Sequence, residues 1–93
     1  MKRLTILGGG ESGVGAAILG KQKGWNVFLS DQGTIQPKYR DVLSNHGIEY
    51  EEGQHSPERL LQTDLAVKSP GIPEEADVVR QLKQEGIEVI SEI

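Results

Sequence analysis

Apolar residues run through this chain in two alternating rhythms. Residues 3–7 read RLTIL and stop at Gly8. An unbroken aliphatic and β-branched run of that length predicts a strand buried on both faces, as in a parallel sheet. Over residues 12–23 the period lengthens, placing Val14, Ala17, Ile18 and Lys21 on one helical face, and Gly24 follows where a helix-ending glycine belongs. NVFLS at 26–30 predicts a second strand that ends at Asp31, and a polar connection fills 32–37. Tyr39, Val42, Leu43 and His46 then recur at i, i+3, i+4 and i+7, a helix face closed by Gly47.

The second half repeats the rhythm in shorter pieces. IEYE at 48–51 predicts a weak third strand. Ser56 and Pro57 form an N-cap and N1 pair opening a short helix through Leu60 and Leu61. DLAVKS at 64–69 predicts a fourth strand, and 74–85 a last helix carrying Ala76, Val79, Leu82 and Lys83, stopped by Gly86. IEVIS at 87–91 is the fifth strand. Strand and helix alternating through short connections predict an α/β domain: an open, parallel five-stranded sheet with helices on both faces. At 93 residues the chain makes one domain with one core. It stops directly after its last strand, at SEI, as expected of a domain cut from a longer chain.

Charge and composition narrow the function classes. The net charge is −4, with both signs spread along the chain, which argues against a nucleic-acid partner because that needs a basic stripe. There is no cysteine, hence no disulfide framework and no thiolate metal site. No apolar run approaches a membrane span, and no signal-peptide pattern precedes the first strand.

The candidate chemistry starts at GGGESG, residues 8–13, which fits G-x-G-x-x-G with Gly8, Gly10 and Gly13 between a strand and a helix. Gly8 permits the tight turn. Gly10 lets the backbone approach a pyrophosphate, and Gly13 lets the helix pack close to the sheet. The helix N-terminus offers free N–H groups and its positive dipole end to an anion, with the Ser12 hydroxyl as a further donor. A plain tight turn with Ser12 as N-cap is the bland alternative. Glu11 tolerates an anion only with its carboxylate turned outward. The loop suits a nucleotide phosphate, and both a redox dinucleotide and a sugar nucleotide fit.

Asp31 lies 18 residues past Gly13, at the end of the second strand. An acid there accepts from ribose hydroxyls in a dinucleotide fold, or from another part of a nucleotide such as a base N–H, or caps the turn through Gly33. The third stretch is VKSPGIP, residues 67–73. Pro70 suits position i+1 and Gly71 the positive φ of i+2, so a type II turn is predicted, with Ser69 held extended before the proline. If the strand order is 3-2-1-4-5, this turn lies beside GGGESG at the topological switch point, where a glycine lets a planar group approach. A rigid turn without a ligand is the alternative.

Taken together, GGGESGVGAA, VFLSD, AVKSPGIP and the closing GIEVISEI resemble the N-terminal domain of the Mur ligases of bacterial cell-wall synthesis, most closely the branch that adds D-glutamate. The resemblance covers nearly the whole chain, and Ser-Pro-Gly-Ile-Pro is its most specific piece. It implies that residues 1–93 form a Rossmann-like first domain that binds the UDP part of UDP-N-acetylmuramoyl-L-alanine and no dinucleotide. By that likeness Gly10, Glu11 and Ser12 contact the pyrophosphate within the loop bounded by Gly8 and Gly13. Asp31 reads the uridine with Gln32 beside it, and the Ser69–Pro70–Gly71 turn brings Gly71 near the uracil. The full enzyme uses ATP and Mg²⁺ to make an acyl phosphate that the amine of D-glutamate attacks, on central and C-terminal domains. This chain has no ATP loop and no lysine or acid cluster for Mg²⁺, so by itself it is expected to bind and not to catalyse. A cytoplasmic, monomeric protein with no nucleic-acid or membrane partner is expected.

Two positions depart from the family pattern. Gln32-Gly33 stands where some members have Thr-Arg, which removes a positive charge from the uridine end. Glu11 replaces a residue that is often smaller or apolar, so only its backbone N–H is expected to take part. The rival readings are an NAD-binding dehydrogenase fragment or regulatory module, and a Mur ligase of another step. A scaffold without ligand ranks below both. Of the remaining candidates, His46 rounds off a helix face and His55 is a loop residue, without metal-ligand spacing. Lys68 is expected to be solvated at a strand end, and Trp25 to pack. Glu51–Glu52 and Glu74–Glu75 are expected to be solvated or helix-starting charges away from the loop.

Overall fold

The computed structural model describes residues 2–91. In chain order the elements are β1 (Arg3–Leu7), α1 (Glu11–Gln22), β2 (Asn26–Asp31), α2 (Pro37–Asn45), β3 (Glu49–Glu52), α3 (Pro57–Leu60), β4 (Leu65–Lys68), α4 (Asp77–Gln84) and β5 (Glu88–Ser91). All four strand pairings are parallel, in the order β3-β2-β1-β4-β5. This is the α/β architecture that the alternating periods predict.

β1 is central because its sequence suits burial on both faces. Leu4 and Ile6 pack into one layer with Val14 and Ala17 of α1 and Leu43 of α2. Leu7 packs into the other with Leu60 of α3 and Val78, Val79 and Leu82 of α4. The helices therefore cover both faces. Register does the rest: Leu7 pairs with Ser30 of β2 and with Lys68 of β4, so three strands end at one level. The glycine loop, Asp31 and the Ser-Pro-Gly-Ile-Pro turn all leave the sheet from that edge.

The longer helices stop by a common device. After α1, Gly24 takes φ +90°. Its N–H reaches the Lys21 carbonyl at 3.1 Å while the Trp25 N–H reaches that of Gly20 at 3.0 Å. This is the paired closure of a Schellman motif, which needs the left-handed conformation that glycine takes without a Cβ penalty. The same two bonds recur at Gly47 and Gly86, ending α2 and α4.

Several local expectations shift. α1 begins at Glu11 with Gly10 at the N-cap, so Ser12 lies inside the first turn and caps nothing. Its buried positions are Gly13, Val14, Ala17 and Gly20, while Lys21 is exposed. α4 starts at Asp77, three residues later than the sequence pattern suggests. Residues 73–76 form a separate turn closed by the Ala76 N–H on the Pro73 carbonyl at 3.1 Å. Pro73, lacking an N–H, and the two glutamates after it lead into the helix without joining it.

Candidate functional site

Three segments meet at the carboxyl edge of the sheet, and their glycines do different work. Gly8 has φ +108°, and a Cβ there would lie 2.9 Å from the Ser69 Cβ, so the glycine loop packs against the turn after β4. A Cβ on Gly13 would sit 1.9 Å from the Gly8 carbonyl oxygen, which is how closely α1 approaches its own loop. Gly10 is different. Its φ of −81° and ψ of −168° suit any residue, and a Cβ on it would meet nothing within 4 Å. The fold does not require that glycine.

Asp31 welds the loop in place. Its Oδ2 accepts from the Gly9 N–H at 2.7 Å and its Oδ1 from the Gly33 N–H at 2.8 Å. The turn-capping role foreseen for Asp31 is therefore present, together with a strap across to the glycine loop. Each oxygen keeps a lone pair for a ligand.

The turn after β4 closes with the Ile72 N–H on the Ser69 carbonyl at 3.0 Å. Gly71 does not take positive φ, so the turn is not type II. As at Gly10, a Cβ on Gly71 would meet nothing within 4 Å. Lys68, expected to be solvated, is instead 4% exposed. Its Nζ donates to the Ile72 carbonyl at 2.8 Å, with Glu74 Oε1 4.0 Å away. The lysine holds the turn from beneath because the chain reverses directly over the strand end. Glu74 also accepts from Lys83 at 2.7 Å, and that bond, with the charges of Lys83 and Lys68, lowers its carboxyl below the usual range.

A polar cluster flanks Asp31. Ser30, fully buried, brings its Oγ within 2.7 Å of both Glu51 Oε2 and His55 Nδ1. Glu51 also accepts from the Ser56 N–H at 2.8 Å and from the Ser56 hydroxyl at 2.6 Å. Ser56 thus holds the N-cap position of α3, but its hydroxyl is spent on Glu51 and not on the helix. Burial works against ionising Glu51, yet the Ser56 and Ser30 bonds and the nearby His55 outweigh it and lower its pKa. Burial lowers the pKa of His55, against the pull of Glu51 and Asp31. Glu52 accepts from the Ile35 N–H at 2.7 Å and pairs with Arg40 at 3.2 Å. Both glutamates therefore leave the solvated role expected of them. Each stands at the carboxyl end of β3 and anchors a loop at the site.

A cleft of ≈ 350 Å³ at this edge is lined by Gly8, Gly10, Asp31, Gln32, Ser69 and Gly71, and His55 is the one member of the polar cluster that reaches it. A neighbouring cleft of ≈ 340 Å³ shares Gln32, His55, Ala76 and Val78 with it, so the two form one trough running outward past Gln54 and Gln81. Glu11 and Ser12 are exposed in the first turn of α1, Gly13 is buried and Pro70 is exposed, and none of the four lines the trough. Gly9, Ile72 and His55 line it although the sequence pattern did not single them out for binding. No lysine or arginine lines either cleft, so an anion here meets backbone N–H groups and the α1 dipole. Among the described residues no three His, Cys, Asp or Glu converge as a metal site, and no helix is long and apolar enough to cross a membrane.

Residues 3–78 match the family described as the MurD N-terminal domain. UDP-N-acetylmuramoylalanine–D-glutamate ligases of Bacteroides fragilis and Bacteroides thetaiotaomicron are 50% and 53% identical over 93 residues, the full length of this chain. The chain spans only 21% of either relative. Among solved structures, the UDP-N-acetylmuramate–alanine ligase MurC of Thermotoga maritima aligns over 98% of this chain and 21% of its own, with a TM-score of 0.81 at 18% identity. That likeness concerns the fold.

Proposed function

The chain belongs to the MurD N-terminal domain family, and from that premise we propose that it holds the UDP moiety of UDP-N-acetylmuramoyl-L-alanine in the trough at the carboxyl edge of the sheet. The observation that carries this reading is the pair Gly10 and Gly71. Neither needs to be glycine for the fold, and both line one cleft. Glycine at such positions lets a ligand approach the backbone itself. The pyrophosphate lies at the rim of the trough over the N-terminus of α1, whose first-turn N–H groups lack intrahelical partners, and the Glu11 side chain is exposed. The nucleoside lies toward Asp31 and Gln32, with Gly71 against the base.

The whole protein is an ATP- and Mg²⁺-dependent ligase that adds D-glutamate in the bacterial cytoplasm, and this domain anchors its substrate. The residues present do not fit ATP and Mg²⁺, since there is no Gly-x-x-x-x-Gly-Lys loop and no convergent acid set among those described. On this reading that chemistry belongs to central and C-terminal domains, and the 93-residue chain binds substrate as a monomer without catalysing.

An NMR titration tests the binding role. UDP should shift the amides of Gly10, Ser12, Asp31 and Gly71, and NAD should not. Saturable NAD binding with no response to UDP overturns the reading.

A further inference from the structure

The contacts around Ser30 fix more than local packing. Ser30 Oγ carries one proton and touches two acceptors besides the imidazole, Glu51 Oε2 at 2.7 Å and the Gln54 carbonyl at 3.2 Å. Glu51 is ionised and already satisfies the two donors of Ser56. If the Ser30 proton pointed at His55, two electron-rich oxygens would face each other at 2.7 Å with nothing between them. The proton therefore lies toward Glu51, and Ser30 Oγ accepts from His55 Nδ1–H at 2.7 Å. A neutral imidazole protonated on Nδ1 leaves Nε2 as a bare acceptor. Among the described residues nothing hydrogen-bonds to Nε2, and His55 is among the residues that line both clefts of the trough.

We propose that His55, locked as its Nδ1–H tautomer by the Glu51–Ser30 relay, is a ligand-binding residue whose Nε2 accepts a hydrogen bond from an N–H or O–H donor of the nucleoside. This rests on the UDP reading and deepens it. Asp31, the charged acceptor at that end, already takes a backbone N–H on each of its two oxygens. A nucleoside presents donors at its base imide and its ribose hydroxyls, and an unpartnered nitrogen acceptor beside Gln32 suits either. The relay also gives binding a pH dependence. Glu51 from β3 and Asp31 from β2 are the charges that act on the ring, and Asp77 from α4, ion-paired with Arg80, lines the same cleft. Protonation of His55 turns Nε2 into a donor, so affinity falls as pH drops through the histidine's own titration.

The test uses the 93-residue chain and UDP, with calorimetry for affinity and long-range ¹⁵N correlation NMR for the ring. His55 should show protonated Nδ1 and bare Nε2 at pH 7.5. His55→Phe should weaken UDP by about three- to tenfold, the value of one neutral hydrogen bond. His55→Gln, which places an uncharged acceptor near Nε2, should restore most of the affinity and abolish the loss between pH 7 and 5. Titrating 3-methyl-UDP and 2′-deoxy-UDP tells imide from ribose: the analogue lacking the recognised donor should be insensitive to His55→Phe. UDP binding by the parent that His55→Phe leaves unchanged, or an Nε2–H tautomer, overturns this assignment while the UDP reading stands. No UDP response from the parent overturns both.

Discussion

The Asp31 carboxylate accepts the Gly9 N–H at 2.7 Å, so the end of β2 is strapped to the loop that leaves β1. The other carboxylate oxygen holds Gly33 at 2.8 Å. One side chain thereby sets the relative position of two backbone segments that line the cleft. Asp31→Asn keeps the shape but turns an amide N–H₂ toward one of these N–H donors. A loss of about 1–3 kcal/mol is expected, the cost of an unmet hydrogen bond at a part-buried site. Urea denaturation measures it, and amide exchange should quicken at Gly9 or Gly33 before the sheet core. Exchange at both amides equal to the parent's would show that the strap is not holding the loop.

Gly10 and Gly13 separate binding from folding. A Cβ on Gly13 would strike the Gly8 carbonyl at 1.9 Å, whereas one on Gly10 enters open space. Gly13→Ala should therefore cost about 1–3 kcal/mol or more by overpacking. Gly10→Ala should leave stability within about 0.5 kcal/mol of the parent yet weaken UDP at least about tenfold, and Gly10→Val should abolish binding. Glu11→Ala should change little, since that side chain is exposed outside the trough. Parent-like UDP affinity in Gly10→Val would refute the phosphate cradle.

The α/β class was legible because it follows from period, and the gathering of three distant motifs followed on the condition that the strands run in the order 3-2-1-4-5. Alternating apolar periods give the α/β class. RLTIL reads as a strand buried on both faces, and the observed order, with β1 between β2 and β4, puts Gly8, Asp31 and Ser69 on one edge. What was not legible depends on directions that side chains take in three dimensions. Lys68 reads as a solvated strand end, and only the chain reversal above it supplies the Ile72 carbonyl that makes its burial tolerable. Glu51 and His55 look like loop charges until β3 pairs with β2 and brings both to Ser30. A buried serine at a strand end, one residue before the Asp31 of the motif, was the available signal. The type II turn failed for a related reason: proline and glycine permit that turn, and the path into residues 73–76 selects another.

Lys68 provides a test of how the turn after β4 is held. Lys68→Met keeps most of the buried stem and removes the donor to the Ile72 carbonyl. Relief from burying a charge offsets part of the lost charge-assisted bond, leaving a net cost of about 1–2 kcal/mol. The sharper expectation is local. Exchange at the Ile72 amide, which closes the turn onto Ser69 at 3.0 Å, should accelerate more than exchange in β4. UDP affinity should fall as Gly71 loses its fixed position. Uniform acceleration across the sheet would mean that the lysine supports the core and not the turn.

Acid should destabilise the chain in two stages, with one sign. Burial holds the folded pKa of His55 below the ordinary value of 6.5, against Glu51 and Asp31. Once the pH falls under that value the unfolded chain binds more protons than the folded one, so stability declines as pH drops toward the folded titration. Glu51 is held below its ordinary 4.5: burial opposes ionisation, but the Ser56 and Ser30 hydrogen bonds and the His55 charge prevail. Its contribution is complete above that value and is lost as pH falls through the lowered one. Urea midpoints should therefore be level from about pH 7 to 8, fall gently toward about pH 5 and fall more steeply below about pH 4.5. His55→Gln should flatten the first stage alone. Glu51→Gln should lower stability at neutral pH, because Ser30 and Ser56 lose a charged acceptor, and flatten the second stage. A midpoint that rises on acidification between pH 7 and 5 would mean that His55 gains a proton on folding, and Nε2 would then be a donor and not the acceptor assigned to it.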